Sequence, residues 1–533
     1  MKKDSLLKSS LWISISGIFS RILAVVYIIP WNIWIGPVAI AAANTMYGKV
    51  YNIYNLFLII ATAGIPAAIS KEVAAHNAVG NFYKSEKLLK KYTAYMTAIG
   101  IILAAIMFFG AKYVAIILAA GDMRVVTPIK YLSIAILIIP ALGIMRGYIQ
   151  GYAFISWSAF SQVIEQIVRI AYMLYATYTI MVLQHGNYKS AVNQSTLASF
   201  IGATVAYVFL IWIRYRIRHS MTKEERERKV EDDGIDDIKF SSMLKSSAPF
   251  LLIDTIMVVL QLFDQTTFSL IYEHILHASQ DKIDYLYSIF GFQANKITMI
   301  LVSLAISVSS SVIPALSAMV AKKVDKEISK EFIQKIIIFT FFIIFPAAVG
   351  MIAVSSQLWT VFNYHNNFAA QILAASSVQA IFYCLFMILE NVLQVTDNVR
   401  QSMVYLVIAY AIKILLQLPL TIYLGAFGPV LASTIAFVVG TLLSFRIINK
   451  QFKLIDPYLL KKIGLIILDG SIMLLIVLAC DYGLTLIIND TTRIPATFVL
   501  AISAIIGVIV YGLLVKRDGS LKILRDIRNI EIY

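Results

Sequence analysis

A chain of 533 residues that is 59% hydrophobic and only 14% charged, with mean hydropathy +0.80, has too little charge to cover a water-exposed surface of its size. Its net charge of +15 would suggest nucleic acid in a soluble protein, but the basic residues gather between long apolar runs, where they report membrane topology, and nucleic acid drops away as a partner. Two cysteines, Cys384 and Cys480, in or at the end of apolar segments, suit neither a disulfide framework nor a thiolate zinc site.

The opening MKKDSLLKSS leads straight into an apolar stretch of spanning length with no cleavage site, so the first span is expected to anchor itself. A hydrocarbon core of about 30 Å needs about 20 apolar residues per helix. That length predicts fourteen spans, at 8–30, 47–68, 92–119, 128–145, 156–182, 196–214, 248–271, 291–319, 335–354, 370–393, 403–424, 427–446, 463–480 and 495–515. The runs are continuously apolar rather than alternating in short segments, which predicts an all-α polytopic protein and excludes a barrel. With the N-terminus inside, 34 of the 45 lysines and arginines fall in the even-numbered connections and the two ends. Odd-numbered connections hold Lys112, Arg124, Lys130, Lys189, Lys282, Lys296 and Arg493. Both termini are therefore expected in the cytoplasm, and the protein in the bacterial cytoplasmic membrane.

Landmarks recur across the hydrophilic stretch that divides the chain. Leu6-Leu7-Lys8-Ser9-Ser10 opens the first span and Met243-Leu244-Lys245-Ser246-Ser247 the seventh; Ile65-Pro66-Ala67 closes the second and Ile313-Pro314-Ala315 the eighth. The order predicts two six-helix lobes in parallel repeat, 1–214 and 247–448, joined by a cytoplasmic linker at 215–246, with helices 13 and 14 and a cytoplasmic tail in 449–533. Such lobes commonly serve alternating access in secondary transporters.

An Arg or Lys at mid-bilayer costs roughly 2.5–3.5 kcal/mol on insertion scales, so cations inside spans need a reason. Arg21, Lys49 and Arg169 lie inside predicted helices and Arg146 at the end of the fourth. Ser10, Ser14, Gly17 and Arg21 share one helical face, as do Gln162, Glu165, Gln166 and Arg169. Glu165 and Arg169 are spaced to neutralise each other, and Arg146 suits a cytoplasmic topology residue equally well. Arg21 and Lys49 have no acidic neighbour on their own helices, which favours a functional role. In the second half Asp254, Gln261, Asp264 and Gln265 lie largely on one face, Lys296 begins the eighth helix, and Glu390, Lys413 and Asp469 are scattered singly. Asp254 and Asp264 suit either a coupling Na⁺ or H⁺ or a gate against the first lobe's cations.

The run Arg146-Gly147-Tyr148-Ile149-Gln150-Gly151, followed by Ser158 to Arg169, resembles a signature of the polysaccharide-transport branch of the MOP flippase superfamily, in particular its SpoVB-like and Gram-positive MurJ-type members. Phe19-Ser20-Arg21-Ile22-Leu23 resembles the first-helix motif of MurJ-type lipid II flippases; Ala294-Asn295-Lys296 with Ile313-Pro314-Ala315-Leu316-Ser317 resembles their helix 8. The resemblance implies a V-shaped, MATE-like pair of lobes around a central cationic cavity that exports undecaprenyl-diphosphate-linked sugars. By motif position it gives Arg21 and Lys296 a part in substrate handling. Further basic residues that Gram-negative members carry on helices 1 and 2 are absent here, with Lys49 a partial substitute. Together these readings nominate Arg21, Lys49, Arg146, Glu165, Arg169 and Lys296 as the substrate site.

Gly147 and Gly151 form a GxxxG pattern that close helix contact explains at least as well as substrate binding. Glu273, His274 and His277 do not form HExxH, and no phosphate-binding loop, catalytic carboxylate pair or nucleophile elbow is present. The chain is thus expected to be no enzyme, to need no cofactor or metal beyond a coupling Na⁺ or H⁺, and to meet lipid-linked sugar, the bilayer and cell-wall synthesis machinery. Lipid II for peptidoglycan is the leading cargo. Capsule, teichoic or other lipid-linked oligosaccharides are the nearest rival, and a cation-coupled drug exporter of MATE type is a third.

Overall fold

Runs of Ile, Leu, Val, Phe and Ala as long as these offer lipid no polar surface only if each backbone N–H and C=O is satisfied within its own segment, which the α-helix does. The computed structural model describes residues 25–62, 64–222, 258–322, 324–396 and 398–519, with isolated positions at 19, 20, 23, 224 and 255; the described residues contain no strand. Twelve of their helical runs are long and apolar enough to cross a membrane. These match the second to sixth and eighth to fourteenth expected spans; most of the first and part of the seventh lie outside the described residues.

In chain order the helices are α1 (Ile28–Ile35), α2 (Ile40–Thr62), α3 (Ile65–Ala78), α4 (Phe82–Phe109), α5 (Ala111–Leu118), α6 (Val126–Gly151), α7 (Ile155–Tyr178), α8 (Tyr188–His219), α9 (Gln280–Tyr287), α10 (Asn295–Ala321), α11 (Lys326–Ala353), α12 (Ser355–Phe362), α13 (Asn367–Val395), α14 (Val399–Leu424), α15 (Phe427–Phe452), α16 (Pro457–Thr485) and α17 (Arg493–Arg517). Short polar residues start them. Asn81 accepts from the Lys84 amide at 3.2 Å, Asn187 from Ser190 at 2.9 Å and Asp456 from Leu459 at 2.8 Å, each satisfying an otherwise orphaned first-turn donor. The expected span at 92–119 is not one helix: it breaks at Gly110, which closes α4 on the Ile106 carbonyl and opens the short α5.

The chain divides into two compact units, Met1–Leu270 and Ile271–Tyr533, so helical residues 258–270 of the seventh expected span lie with the first unit. Helix α6 is the axis of the first unit and touches α2, α3, α4, α7 and α8. The contact is close because glycines line it. A Cβ on Gly147 would strike the Pro66 carbonyl of α3, and one on Gly151 would come within 2.6 Å of the Val73 side chain, so this GxxxG pair seats α3 on α6.

Helix α13 is the axis of the second unit and touches α10, α11, α12, α14 and α15. As the tenth expected span it holds the place that α6, the fourth, holds in the first unit. The pairings repeat as well: fifth with sixth and eleventh with twelfth, third with fourth and ninth with tenth. Even the short α5 after α4 has its counterpart in α12 after α11. Helices α16 and α17 are additional; Met473 and Val477 of α16 pack on Val349 and Ala353 of α11.

Candidate functional site

Lys49 sits ten residues into α2 with 1% of its side chain exposed, and its partner comes from another element. Its Nζ lies 3.3 Å from Asp122 Oδ2, in the turn before α6. Arg124 grips the same carboxylate with a fork, Nε to Oδ1 and Nη2 to Oδ2, both at 2.8 Å. Burial alone would lift the Asp122 carboxyl, but the Arg124 hydrogen bonds and the charges of Lys49 and Arg124 outweigh it and hold the group at about 2. Asp122 was invisible as a partner in the sequence because it lies 73 residues from Lys49.

One face of α2 is aromatic. Tyr47, Tyr51 and Tyr54 follow at i, i+4 and i+7, with ring centroids 4.4 Å apart for the first pair and 5.8 Å for the second. Trp31 of α1 adds a ring 5.5 Å from Tyr47, and its indole N–H donates to Asn44 Oδ1 at 3.0 Å. Tyr47 donates to the Met173 sulfur of α7 at 3.5 Å, and the Tyr51 hydroxyl lies 2.6 Å from Ser199 Oγ of α8, so the stripe faces both helices. Arg169 of α7 enters this setting, within electrostatic reach of Tyr51, Tyr47, Glu165 and Tyr27. The spacing of these tyrosines was a legible sign of a shared face; that it faces Arg169 was not.

Glu165 does not form an ion pair with Arg169. Its Oε2 takes Arg146 Nη2 of α6 at 2.7 Å, and Arg146 Nε reaches Ser161 Oγ at 3.0 Å. Gln150 of α6 donates to Ser158 of α7 at 2.9 Å, so α6 ties the first turns of α7 through Ser158, Ser161 and Glu165. Arg146 is thereby a helix-to-helix tie with about a fifth of its side chain exposed. Among the described residues, no carboxylate lies within ion-pair distance of Arg169. Charge-assisted hydrogen bonds to a partly buried guanidinium are stronger than in water, because water is scarce around it.

Asp264 is half-buried in the helical residues 258–270, next to Gln265, which accepts from Asn52 of α2 at 3.0 Å. Lys296 is half-buried at the start of α10, its ammonium 5.7 Å from the centre of the Phe292 ring. Arg21 and Asp254 lie outside the described residues. Of the single charges in the second half, Glu390 of α13 is 3% exposed and takes hydroxyl donors from Ser402 of α14, closely, and from Ser444 of α15 at 2.6 Å. It is a tie between three helices. No group of three or more His, Cys, Asp or Glu among the described residues could hold a metal ion.

The family model described as Polysaccharide biosynthesis protein matches residues 6–320, and that described as Lipid II flippase MurJ matches 290–500. A curated relative, the lipid II flippase MurJ of Bacillus subtilis (strain 168), is 30% identical over 526 residues, which cover 95% of this chain and 94% of the relative. Among solved structures, a lipid II flippase MurJ in an inward closed conformation aligns over 97% of this chain and 99% of its own, with TM-score 0.65 and 18% identity. An outward-facing multidrug resistance MATE family transporter of the MOP superfamily aligns over 84% and 96%, with TM-score 0.57 and 12% identity. Both structures share the fold with this chain.

Proposed function

The chain belongs to the MurJ-type members of the polysaccharide biosynthesis protein family in the MOP superfamily, and from that premise we propose that it flips lipid II across the bacterial cytoplasmic membrane by alternating access. The observation that carries the site is Arg169, a membrane-embedded cation with tyrosines around it and, among the described residues, no carboxylate within ion-pair distance. A diphosphate diester brings two negative charges and several acceptor oxygens, the chemistry such a guanidinium completes. Arg146, held one helical turn away through Glu165, positions this stripe and joins it when the diphosphate competes with the carboxylate. Lys49 enters by exchange: its ammonium leaves Asp122, which keeps the Arg124 fork, and takes a phosphate oxygen. Arg21 and Lys296 complete the set by their match to family motifs.

The uneven distribution of Lys and Arg supports a topology with both termini in the cytoplasm. Two negative charges moving outward across an inside-negative membrane gain roughly 2.3 kcal/mol each per 100 mV, so the membrane potential assists export without a nucleotide. Asp254 and Asp264 are the carboxylates proposed for a coupling Na⁺ or H⁺ or for a gate. The cargo is delivered to the cell-wall synthesis machinery, the expected partner downstream.

Complementation tests the reading. In cells depleted of their own lipid II flippases, this chain restores growth and the appearance of labelled lipid II at the outer leaflet, whereas Arg169→Ala at equal abundance does not. Rescue of capsule or teichoic export with no rescue of lipid II would overturn the cargo.

A further inference from the structure

A second polar centre lies far along the chain from these cations, at one end of α16. Gln357 of α12 is 2% exposed, and its amide nitrogen donates to two carboxylates at once: Asp481 Oδ2 at 3.0 Å and Asp490 Oδ2 at 2.8 Å. Ser503 of α17 stands 3.4 Å from the other Asp481 oxygen. Among the described residues no lysine, arginine or histidine lies within ion-pair distance of either acid. Two carboxylates so close repel each other, and one neutral amide is a weak counterweight. The same arrangement leaves the carbonyl oxygen of Gln357, also buried, with no hydrogen-bond partner. A buried acceptor without a donor carries an uncompensated desolvation cost, which an ordinary helix junction would avoid.

We propose that Asp481, Asp490, Gln357 and Ser503 form a site for a hard, oxygen-liganded metal cation. The amide NH₂ takes the place of that ion, one hydrogen to each carboxylate. When the cation enters, the amide turns over about its last side-chain bond, presents the orphaned oxygen, and gains a ligand instead of losing a hydrogen bond. Two carboxylates, an amide oxygen and a hydroxyl are the oxygen donors that Ca²⁺ accepts in flexible geometry, and their double negative charge suits a divalent ion better than Na⁺. The three elements joined are α12, the end of α16 with its following turn, and α17, so the ion would lock the two additional helices onto the repeat. Asp490 follows the thirteenth span, in a connection that positive-inside reasoning places outside the cell, where such cations are plentiful.

The test uses the purified full chain in detergent and needs no lipid-linked sugar, so it succeeds or fails apart from the flippase reading. Thermal unfolding is followed during titration with CaCl₂ and, separately, NaCl, against choline chloride at matched ionic strength. The expected result is saturable stabilisation by several degrees, with Ca²⁺ acting at the lower concentration and equilibrium dialysis giving one bound ion per chain. Asp481→Asn and Asp490→Asn are nearly isosteric, remove one charge each, and weaken the apparent affinity at least tenfold; Gln357→Glu, which adds a carboxylate, strengthens it. Stabilisation by Na⁺ alone keeps the site and corrects the ion. No saturable stabilisation by either ion, equal stabilisation in Asp481→Asn, or stabilisation by acidification alone would each overturn the proposal, the last by showing a proton shared between the acids.

Discussion

Removing either partner of the Lys49–Asp122 pair should not cost the same. Lys49→Met keeps most of the buried stem volume and leaves Asp122 still gripped by Arg124 through two 2.8 Å hydrogen bonds, so it should cost about 1 kcal/mol. Asp122→Asn strips the ammonium of its carboxylate at a position where 1% of the lysine side chain reaches solvent, while Arg124, 20% exposed, can turn to water. Breaking a buried pair from one side costs about 3–5 kcal/mol, and the retained amide oxygen argues for the lower end, near 3. In the double variant the ammonium that lost this carboxylate is gone, so it should cost about 1–2 kcal/mol and show a coupling of about 2. Denaturant-induced unfolding of purified variants in one detergent measures all four corners. Equal losses from the two single variants, or strict additivity, would refute the description of Asp122 as an ion-pair partner that the buried Lys49 depends on. The substrate proposal adds a second readout: Lys49→Met folds but flips slowly, while Asp122→Asn, with no carboxylate to displace, binds the diphosphate headgroup more tightly.

Asp122 also sets an acid limit. Its carboxyl is held at about 2 in the folded chain against an ordinary value of about 3.9, so the stability it confers is complete above about pH 4 and lost as pH falls through about 2, roughly 2 kcal/mol in all; Asp122→Asn should remove that part of the acid sensitivity in melts across this window. Gly147→Ala drives a methyl into the Pro66 carbonyl and should cost about 1–3 kcal/mol, whereas Gly143→Ala meets only the Pro66 ring at 3.2 Å and should cost clearly less; thermal melts of the two variants rank them. Collapsing the membrane potential with a potassium ionophore in proteoliposomes should slow net outward flipping, because about 4.6 kcal/mol per 100 mV of driving force for two charges disappears; unchanged flux would mean that another ion carries the coupling.

The twelve spans among the described residues were legible because each needs a long apolar run, and a run of that length is hard to mistake. Gly110 escaped notice because an apolar window averages over a single break. Two short landmarks in the sequence suggested an internal repeat; the contacts of α6 and α13 recur in the same order, and such packing is set by shape that many apolar sequences satisfy. Site residues were legible as types and not as pairs. Helical spacing put Glu165 beside Arg169, yet the carboxylate went to Arg146 on the preceding helix, which takes it through Nη2 while its Nε donates to the Ser161 hydroxyl. Lys49 looked solitary because its acid lies on another element. Glu390 looked like a lone charge because two of its partners are serines, which are common and leave no mark in a charge pattern.

Reconstitution of the purified chain into liposomes, with an inside-negative potential and labelled lipid II initially confined to the inner leaflet, tests the central claim most directly. The account predicts that lipid II appears outside at a rate proportional to the amount of wild-type protein, and that Arg169→Ala, folded and incorporated equally, flips at least tenfold more slowly. Equal rates for Arg169→Ala and wild type, or no protein-dependent appearance at all, would contradict it.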